Sequence, residues 1–182
     1  NFRTDRGREI TEVLTQNDKP EYFMRKLPLY YVTLTNYDKT FRDVHVVFDE
    51  EVLHETMGEI LERNHKTQIR IAETEKYPLV TFFFSGGREE PFNGEKRLLC
   101  PSPKDVPTYD LKPEMSAYDI TNAILPELEN QTAYFICLNF ANTDMVGHTG
   151  VWDAIIKAAE TVDSCAQKIV EKGISKGYQF II

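Results

Sequence analysis

The sequence predicts an α/β protein with a mainly parallel sheet flanked by helices, and with the end of a second α/β domain at its N-terminus. The first observation is the short, almost wholly apolar segment 134–139 (YFICLN), typical of a strand that a parallel sheet buries on both faces. The second is the order of the segments after it: a loop, a helical pattern over 151–172, and an apolar run at 178–182 that predicts another buried strand. Strand, loop, helix and strand in this order make a βαβ unit.

The N-terminal third has a different character. Segments 29–35 and 44–48 are rich in aromatic and β-branched residues, so both are predicted strands. Asp49 is a suitable N-cap for an amphipathic helix over about residues 50–64, where apolar residues recur at helical spacing. Because the composition changes here from β-rich to alternating α/β, we expect a domain boundary at this point, giving domains of 1–48 and 49–182.

The middle of the chain predicts two more strands, a long loop and a helix. The strands are predicted at 67–72 and 79–84. Five prolines between residues 91 and 113 are too many for regular structure, so this region is predicted to be a long ordered loop with a short strand near 97–100. Loops of that length usually serve a site. Ser116 and Asp119 resemble a capping box that opens a helix toward Leu128, and Gly173 is a suitable C-cap for the helix over 151–172.

Composition excludes several classes of partner. The formal net charge of −8 argues against nucleic acid or an anionic membrane, because both attract clustered Lys and Arg. The three cysteines are far apart and form no CxxC pair, which argues against a disulfide framework or a thiolate zinc site and favours a reducing cytoplasm. No apolar run approaches the roughly 20 residues that cross a bilayer. We expect a soluble cytoplasmic protein.

The two ends of the chain suggest a longer protein. The first residue is Asn1 rather than an initiator Met, and the last, Ile182, lies inside the predicted strand at 178–182. A parallel strand normally leads into a loop, and ligands gather at the carboxyl ends of such strands. We therefore expect both ends to have been cut from a longer chain.

Asp144 and His148 are the candidate metal ligands. They follow the predicted strand 134–139, and a carboxylate and an imidazole four residues apart at a strand's carboxyl end can converge on one ion. This oxygen and nitrogen pair suits Mn²⁺ or Zn²⁺ better than Ca²⁺ or a soft metal. The alternative, favoured on spacing alone, is that Asp144 caps the next turn and His148 starts a helix with a backbone partner.

Arg3 and Arg6 are candidate phosphate ligands. At i, i+3 spacing on a helix they would face the same side and could form a fork for a phosphate or carboxylate. The alternative, favoured by charge pattern alone, is a solvated surface on which Asp5 and Glu9 are their partners.

Lys76 is the third candidate cation. It lies just after the predicted strand 67–72 and could neutralise a transferring phosphoryl group. The alternative is a structural salt bridge to Glu73 or Glu75.

The chain resembles the cofactor-independent, metal-dependent phosphoglycerate mutases. The resemblance is carried, in order and at similar spacing, by NFRTDRGREI, RIAETEKYPLVTFFFSGGREEPF, PSPKDVPTYDLKPEMSA and LNFANTDMVGHTG. It covers essentially all of this chain but only the middle-to-late part of that family's sequence. It implies an alkaline-phosphatase-like fold, with residues 1–48 as the C-terminal part of an inserted phosphotransferase domain and 49–182 as a C-terminally truncated part of the metal-binding phosphatase-like domain.

The resemblance also implies a reaction. Members of this family interconvert 3-phosphoglycerate and 2-phosphoglycerate in glycolysis and gluconeogenesis, through a phosphoserine intermediate and with two Mn²⁺ ions, for which Zn²⁺ or Co²⁺ could substitute. By the matching motifs, Arg3, Arg6 and Lys76 correspond to substrate-binding residues, and Asp144 and His148 to ligands of one metal. The intact enzyme is expected to be a monomeric isomerase whose partner is its small-molecule substrate.

Parts of the family's site are absent from this chain. In the family, the nucleophilic serine belongs to an upstream segment, so no catalytic nucleophile is expected in this chain. The family also has an Asp-His metal motif, which would follow Ile182. We therefore expect the chain alone to be inactive and to bind Mn²⁺ weakly or not at all. Two rival interpretations are another alkaline-phosphatase-like phosphomutase or phosphodiesterase, which would share the pattern from Asp144 to His148, and a non-catalytic α/β interaction module. The extended matches around Arg3 and Lys76 argue against the first rival.

Overall fold

The structure is a computed structural model that describes residue 2, residues 4–48 and residues 53–182. The chain forms two compact units, residues 1–52 and residues 53–182. Asp49, the predicted N-cap, and Arg3, a predicted substrate ligand, lie outside the described residues. In the described residues no helix is long and apolar enough to cross a membrane.

The described part of the first unit contains the α-helix α1 and a two-stranded parallel sheet. Helix α1, Thr4–Thr11, continues into a π-helical turn at Glu12–Gln16. Strands β1, Tyr31–Thr35, and β2, Val44–Phe48, pair in parallel, as their β-branched and aromatic composition favours. The ring of Tyr37 packs against Gly7 of α1, where a Cβ would approach it to 2.8 Å, so a side chain larger than hydrogen does not fit there.

The second unit is built on a three-stranded, wholly parallel sheet. Its strands are β3, Gln68–Glu73, β4, Glu95–Cys100, and β5, Phe135–Asn139, in the order β4-β3-β5. The central strand β3 is buried at all six positions. Four helices accompany the sheet: α2 (Met57–Arg63), α3 (Ala117–Glu129), α4 (Asn142–Gly147) and α5 (Trp152–Ser175). The predicted α/β class with a parallel sheet flanked by helices is confirmed.

Alternation along β3 gives the sheet two different faces. Ile69 and Ile71 point to one side and pack into a core with residues of α3 and α5, among them Ile120, Ile124 and Ile169. On the other side, the guanidinium of Arg70 is fully buried and lies 4.6 Å from the ring centre of Phe84 and 5.2 Å from that of Phe135. The second face is therefore aromatic and cationic, whereas the first is aliphatic.

The predicted strand at 79–84 is wrong. Residues Leu79–Phe83 form a π-helical turn that follows Pro78. The hydroxyl of Thr81 donates a hydrogen bond to the carbonyl of Tyr77, four residues earlier, at 2.8 Å. Thr side chains make this bond within helical backbone. A short apolar run that is buried on one side has no periodicity that separates a strand from a helical turn, which explains the error.

Helix α2 is shorter than the predicted helix over 50–64. It begins at Met57 because Thr56 and Glu59 form a capping box, in which each side chain accepts a hydrogen bond from the other residue's backbone N–H. Leu53 and His54 lie outside the helix. The capping box determines where the helix starts.

The predicted strand at 178–182 is also wrong. Tyr178 and Phe180 pack against the core, and Tyr178 donates through Oη to the carbonyl of Ala133 at 2.6 Å, but Ile181 and Ile182 are fully exposed. A strand requires a ladder of backbone hydrogen bonds, and no described strand pairs with this segment.

Helix α5 continues past its predicted C-cap. Gly173 lies inside the helix, where a Cβ would collide with the ring of Phe180. The left-handed residue that ends the turn is Gly177, with a φ of 84°. Gly173 is therefore required by close packing, not by the capping geometry that its position suggested.

Candidate metal and phosphate site

Asp144 and His148 lie side by side after strand β5. The short helix α4 places Asp144 in its first turn, and His148 follows its last residue. Nε2 of His148 is 3.6 Å from Oδ1 of Asp144, and the two side chains are 78% and 51% exposed, so both can reach a ligand from solvent. The i, i+4 spacing therefore brings a carboxylate and an imidazole together at the carboxyl end of the strand.

Lys76 reaches this pair from the neighbouring strand. It ends a 3₁₀ turn, Thr74–Lys76, that follows β3 directly. Its ammonium donates to Oδ2 of Asp144, and its side chain is only 18% exposed. Its carboxylate partner is thus Asp144, and neither Glu73 nor Glu75 takes the role that the alternative interpretation gave them.

The three side chains form one cluster because β3 and β5 are adjacent and parallel. Parallel neighbours end at the same edge of a sheet, which is where open α/β sheets place their ligands. A cation, a carboxylate and an imidazole at this edge can bind a metal ion and an anionic group together. We call Lys76, Asp144 and His148 the edge cluster.

Arg6 lies in the first unit. It is exposed on α1 and lines a cavity of about 520 Å³ whose other walls include Gly7, Ile10, Tyr31 and Tyr37. A guanidinium at the rim of a cavity of this size can bind a small anion.

Behind Lys76, the end of β3 carries a buried carboxyl. Glu73 is fully buried, and this burial raises its pKa above the ordinary value. Ser102 donates through Oγ to Oε2 of Glu73 at 3.0 Å. The carboxyl group of Glu73 therefore keeps its proton more readily than an exposed carboxyl group does. It lies directly before the turn that carries Lys76.

The residue before Lys76 is also held in place. Oη of Tyr109 donates to Oε1 of Glu75 at 2.8 Å. Burial, and then the hydrogen bond to this carboxylate, raise the pKa of Tyr109 to about 12, because a tyrosinate there would be poorly solvated and repelled. Tyr109 opens a 3₁₀ turn, Tyr109–Leu111, within the long proline-rich loop.

Helix α4 is tied to the same loop. Asn142, its first residue, is completely buried and donates through Nδ2 to the carbonyls of Pro113 and Glu114 at 2.8 and 2.7 Å. Sequence reasoning did not single out Ser102, Tyr109 or Asn142. The available signal was the expectation that so long a loop serves a site.

The donor set of the edge cluster suits a hard or borderline divalent cation. Asp144 supplies oxygen and His148 nitrogen, both of which Mn²⁺, Co²⁺ and Zn²⁺ accept. Within the described part of the chain, no group of three or more His, Cys, Asp or Glu side chains could hold a metal ion. Asp144 and His148 therefore suit such an ion chemically, and a site built on this pair would need further ligands.

Comparison with known proteins adds a family and several relatives. The Metalloenzyme superfamily matches residues 25–182. The 2,3-bisphosphoglycerate-independent phosphoglycerate mutase of Flavobacterium johnsoniae is 60% identical over 182 residues, which is 100% of this chain and 36% of that protein. The protein of the same name from Clostridioides difficile is 53% identical over the same shares. The resemblance that the four sequence segments indicated is confirmed.

One solved structure is also similar. A phosphoglycerate mutase of Leishmania mexicana, crystallised at low cobalt concentration, matches with a TM-score of 0.67 and 25% identity, over 76% of this chain and 30% of that one. The chain therefore spans about a third of the length of the proteins it resembles, and its fold recurs in one of them.

Proposed function

Because this chain belongs to the Metalloenzyme superfamily, we propose that it is the part of a phosphoglycerate mutase that contributes Lys76 and one pair of metal ligands. The whole enzyme would interconvert 3-phosphoglycerate and 2-phosphoglycerate. The observation that carries the proposal is the edge cluster, in which two residues from one motif meet a third from a motif 68 residues away. Identity of 60% to a mutase over every residue of the chain supports it.

Asp144 and His148 are proposed to hold one ion of a two-ion site. We propose Mn²⁺, with Co²⁺ or Zn²⁺ as substitutes, since all three accept mixed oxygen and nitrogen donors. Crystallisation of the Leishmania mexicana mutase with cobalt supports a divalent ion in that protein. When bound, such an ion acts as a Lewis acid that stabilises charge on a transferring phosphoryl group. The remaining ligands would come from residues outside this chain.

Lys76 is proposed to bind the phosphoryl group. Its ammonium is directed at the edge where the proposed metal ligands lie and is largely shielded from water, which strengthens its attraction for an anion. Phosphoryl transfer depends chiefly on such positioned positive charge. The proposed route passes through phosphoserine, formed on a serine outside this chain.

Arg3 and Arg6 are also proposed to bind substrate. A carboxylate and a phosphate are both matched by a guanidinium fork, and Arg6 lines a cavity. We assign residues 1–48 to the end of an inserted phosphotransferase domain and 49–182 to a metal-binding phosphatase-like domain. The enzyme is proposed to act as a monomer in the cytoplasm.

The test compares the 182-residue chain with the protein encoded by the complete reading frame that contains it. The complete protein should convert 3-phosphoglycerate in the presence of Mn²⁺ and lose activity with a chelator. The chain alone should show no turnover and weak or absent Mn²⁺ binding, because the proposed nucleophile and remaining ligands belong to other parts of the enzyme. Pentose phosphates and nucleotide diesters serve as control substrates. Turnover of pentose phosphates or nucleotide diesters instead of 3-phosphoglycerate would refute the proposal in favour of a related phosphotransferase. Turnover of none of these compounds would refute it in favour of an interaction module.

A further inference from the structure

The loop between β4 and α3 contacts both elements that hold the edge cluster. Residues 101–116, which we call the brace, hydrogen-bond at one end to the turn that carries Lys76 and at the other to the helix that carries Asp144. On these contacts Ser102 and Asn142 are buried and Tyr109 is half-buried, whereas Glu75 is exposed.

Ser102 makes the first attachment. Its backbone N–H donates to Oγ1 of Thr74 at 3.2 Å, and its Oγ accepts from the backbone N–H of Glu75 at 3.4 Å. The same hydroxyl donates to the buried carboxyl of Glu73. One serine thus contacts the three residues that immediately precede Lys76.

Tyr109 makes the second attachment, through its hydroxyl to the carboxylate of Glu75. Glu75 is the immediate neighbour of Lys76, so this bond fixes the turn through a side chain in addition to its backbone contacts. A hydrogen bond to a charged acceptor is stronger than one between neutral groups.

Asn142 and Met115 make the attachment at the far end. The amide of Asn142 binds two consecutive carbonyls of the brace, and Met115 is buried in a core cluster with Ala141 and Val146 of the α4 region. Met115 has a φ of 43°, a conformation that is unfavourable for a residue with a side chain and persists only where the surroundings enforce it. The brace is therefore held firmly at this end.

We propose that the brace sets the position of Lys76 relative to Asp144 and His148, with Tyr109 and Asn142 as its positioning residues. This inference rests on the proposed mutase function. A lysine has a flexible stem, and a single ion pair at the edge of a sheet does not fix it. The brace instead fixes the backbone on which the lysine stands. Displacement of a reacting group by about 1 Å can cost on the order of a hundredfold in rate.

The kinetic test uses the complete protein and the pair Tyr109 and Glu75. Tyr109→Phe and Glu75→Ala should each lower kcat about tenfold and change KM less than about twofold, since they misplace Lys76 without removing it. Glu75→Gln should recover most of the loss of Glu75→Ala, because its amide oxygen still accepts from Tyr109. The double variant should be no worse than the poorer single variant, since both remove one contact. Tyr118→Phe, an exposed tyrosine on α3, is the matched control.

A second readout does not depend on turnover. In the 182-residue chain, nitrogen-15 relaxation of the Lys76 ammonium should report a lower order parameter in Tyr109→Phe than in Tyr118→Phe or the unmodified chain. Asn142→Ala should also lower the order parameter of the Lys76 ammonium. If the Asn142→Ala chain does not fold, the result for Tyr109→Phe alone tests the proposal.

The outcomes separate the two proposals. If the unmodified complete protein has no mutase activity, the proposed function fails, and the order parameter still tests the brace. If the unmodified protein is active and Tyr109→Phe matches Tyr118→Phe in both kcat and Lys76 order, the brace proposal is overturned. A lower melting temperature with unchanged kcat and unchanged Lys76 order would likewise reduce Tyr109 to an ordinary structural residue.

Discussion

Lys76 donates a hydrogen bond through its ammonium to the carboxylate of Asp144, which lies 68 residues further along the chain. The two meet because β3 and β5 are parallel neighbours whose carboxyl ends share one edge of the sheet. The pairing joins a residue proposed to bind phosphate to one proposed to bind metal. A change in either residue therefore also affects the proposed role of the other.

Loss of either proposed metal ligand should abolish activity in the complete protein. Asp144→Ala and His148→Ala each remove one donor atom from an ion that needs several, so bound metal and turnover should fall together. Metal content by mass spectrometry, measured beside kcat, checks this. His54→Ala, an exposed histidine in the second unit, is the control and should retain both. Full metal content in either ligand variant would remove that residue from the proposed site.

Arg6→Ala should weaken substrate use more than the chemical step. A lost hydrogen bond between charged groups lowers kcat/KM by about ten- to a hundredfold, mostly through a higher KM. Arg6→Lys should restore only part of this, because an ammonium cannot form the same fork. Arg8→Ala changes an exposed arginine on the same helix and should have little effect. Equal kinetics for the Arg6 and Arg8 variants would argue against substrate binding by Arg6.

Tyr109 should titrate late. Its pKa is raised to about 12, whereas an unfolded tyrosine loses its proton near about 10. Between these values the unfolded chain binds fewer protons than the folded one, so the contribution of Tyr109 is fully present below about pH 10 and is lost as the pH rises toward 12. In a pH titration followed by tyrosinate absorbance, Tyr109→Phe should show one fewer tyrosine that loses its proton near pH 12. The same absorbance change at high pH in the variant and the unmodified chain would contradict the prediction.

Gly173→Ala should destabilise the second unit. The added methyl meets the ring of Phe180, and overpacking of this kind costs about 1–3 kcal/mol, more than the roughly 1 kcal/mol that alanine gains over glycine within a helix. Urea denaturation followed by circular dichroism measures the change. Combining it with Phe180→Leu should recover part of the loss, and Glu160→Ala, exposed on the same helix, should change little. A gain in stability from Gly173→Ala would show that Phe180 moves away freely.

Periodicity predicted the elements whose hydrophobic patterns are most distinct. Strand β5 and helix α5 were found within a few residues, because a wholly apolar strand and a long amphipathic helix have distinct patterns. The turn at Leu79–Phe83 was missed since its burial on one side resembles that of a strand. The segment 178–182 was missed for another reason, because strand formation depends on a hydrogen-bonding neighbour that composition does not reveal.

The candidate site was predictable in its residue types but not in its connections. Asp144 and His148 are at i, i+4 positions in helix α4 and its C-cap, so their closeness follows from spacing. Their meeting with Lys76 follows from strand order, and local sequence carries no signal for it. The bond between Tyr109 and Glu75 depends on the path of a proline-rich loop, which has no period at all.

The different side chains on the two faces of β3 also determine the register in which this strand can pair with its neighbours. If it slipped by one residue against its neighbours, every side chain would change sides. Arg70 would then enter the aliphatic core beside Ile120, and Ile69 and Ile71 would replace it beside the aromatic rings. An unpaired guanidinium in an aliphatic core is far costlier than one stacked on aromatic rings. The buried arginine thus discriminates against misaligned strand pairing, and so protects the alignment that sets Lys76 opposite Asp144.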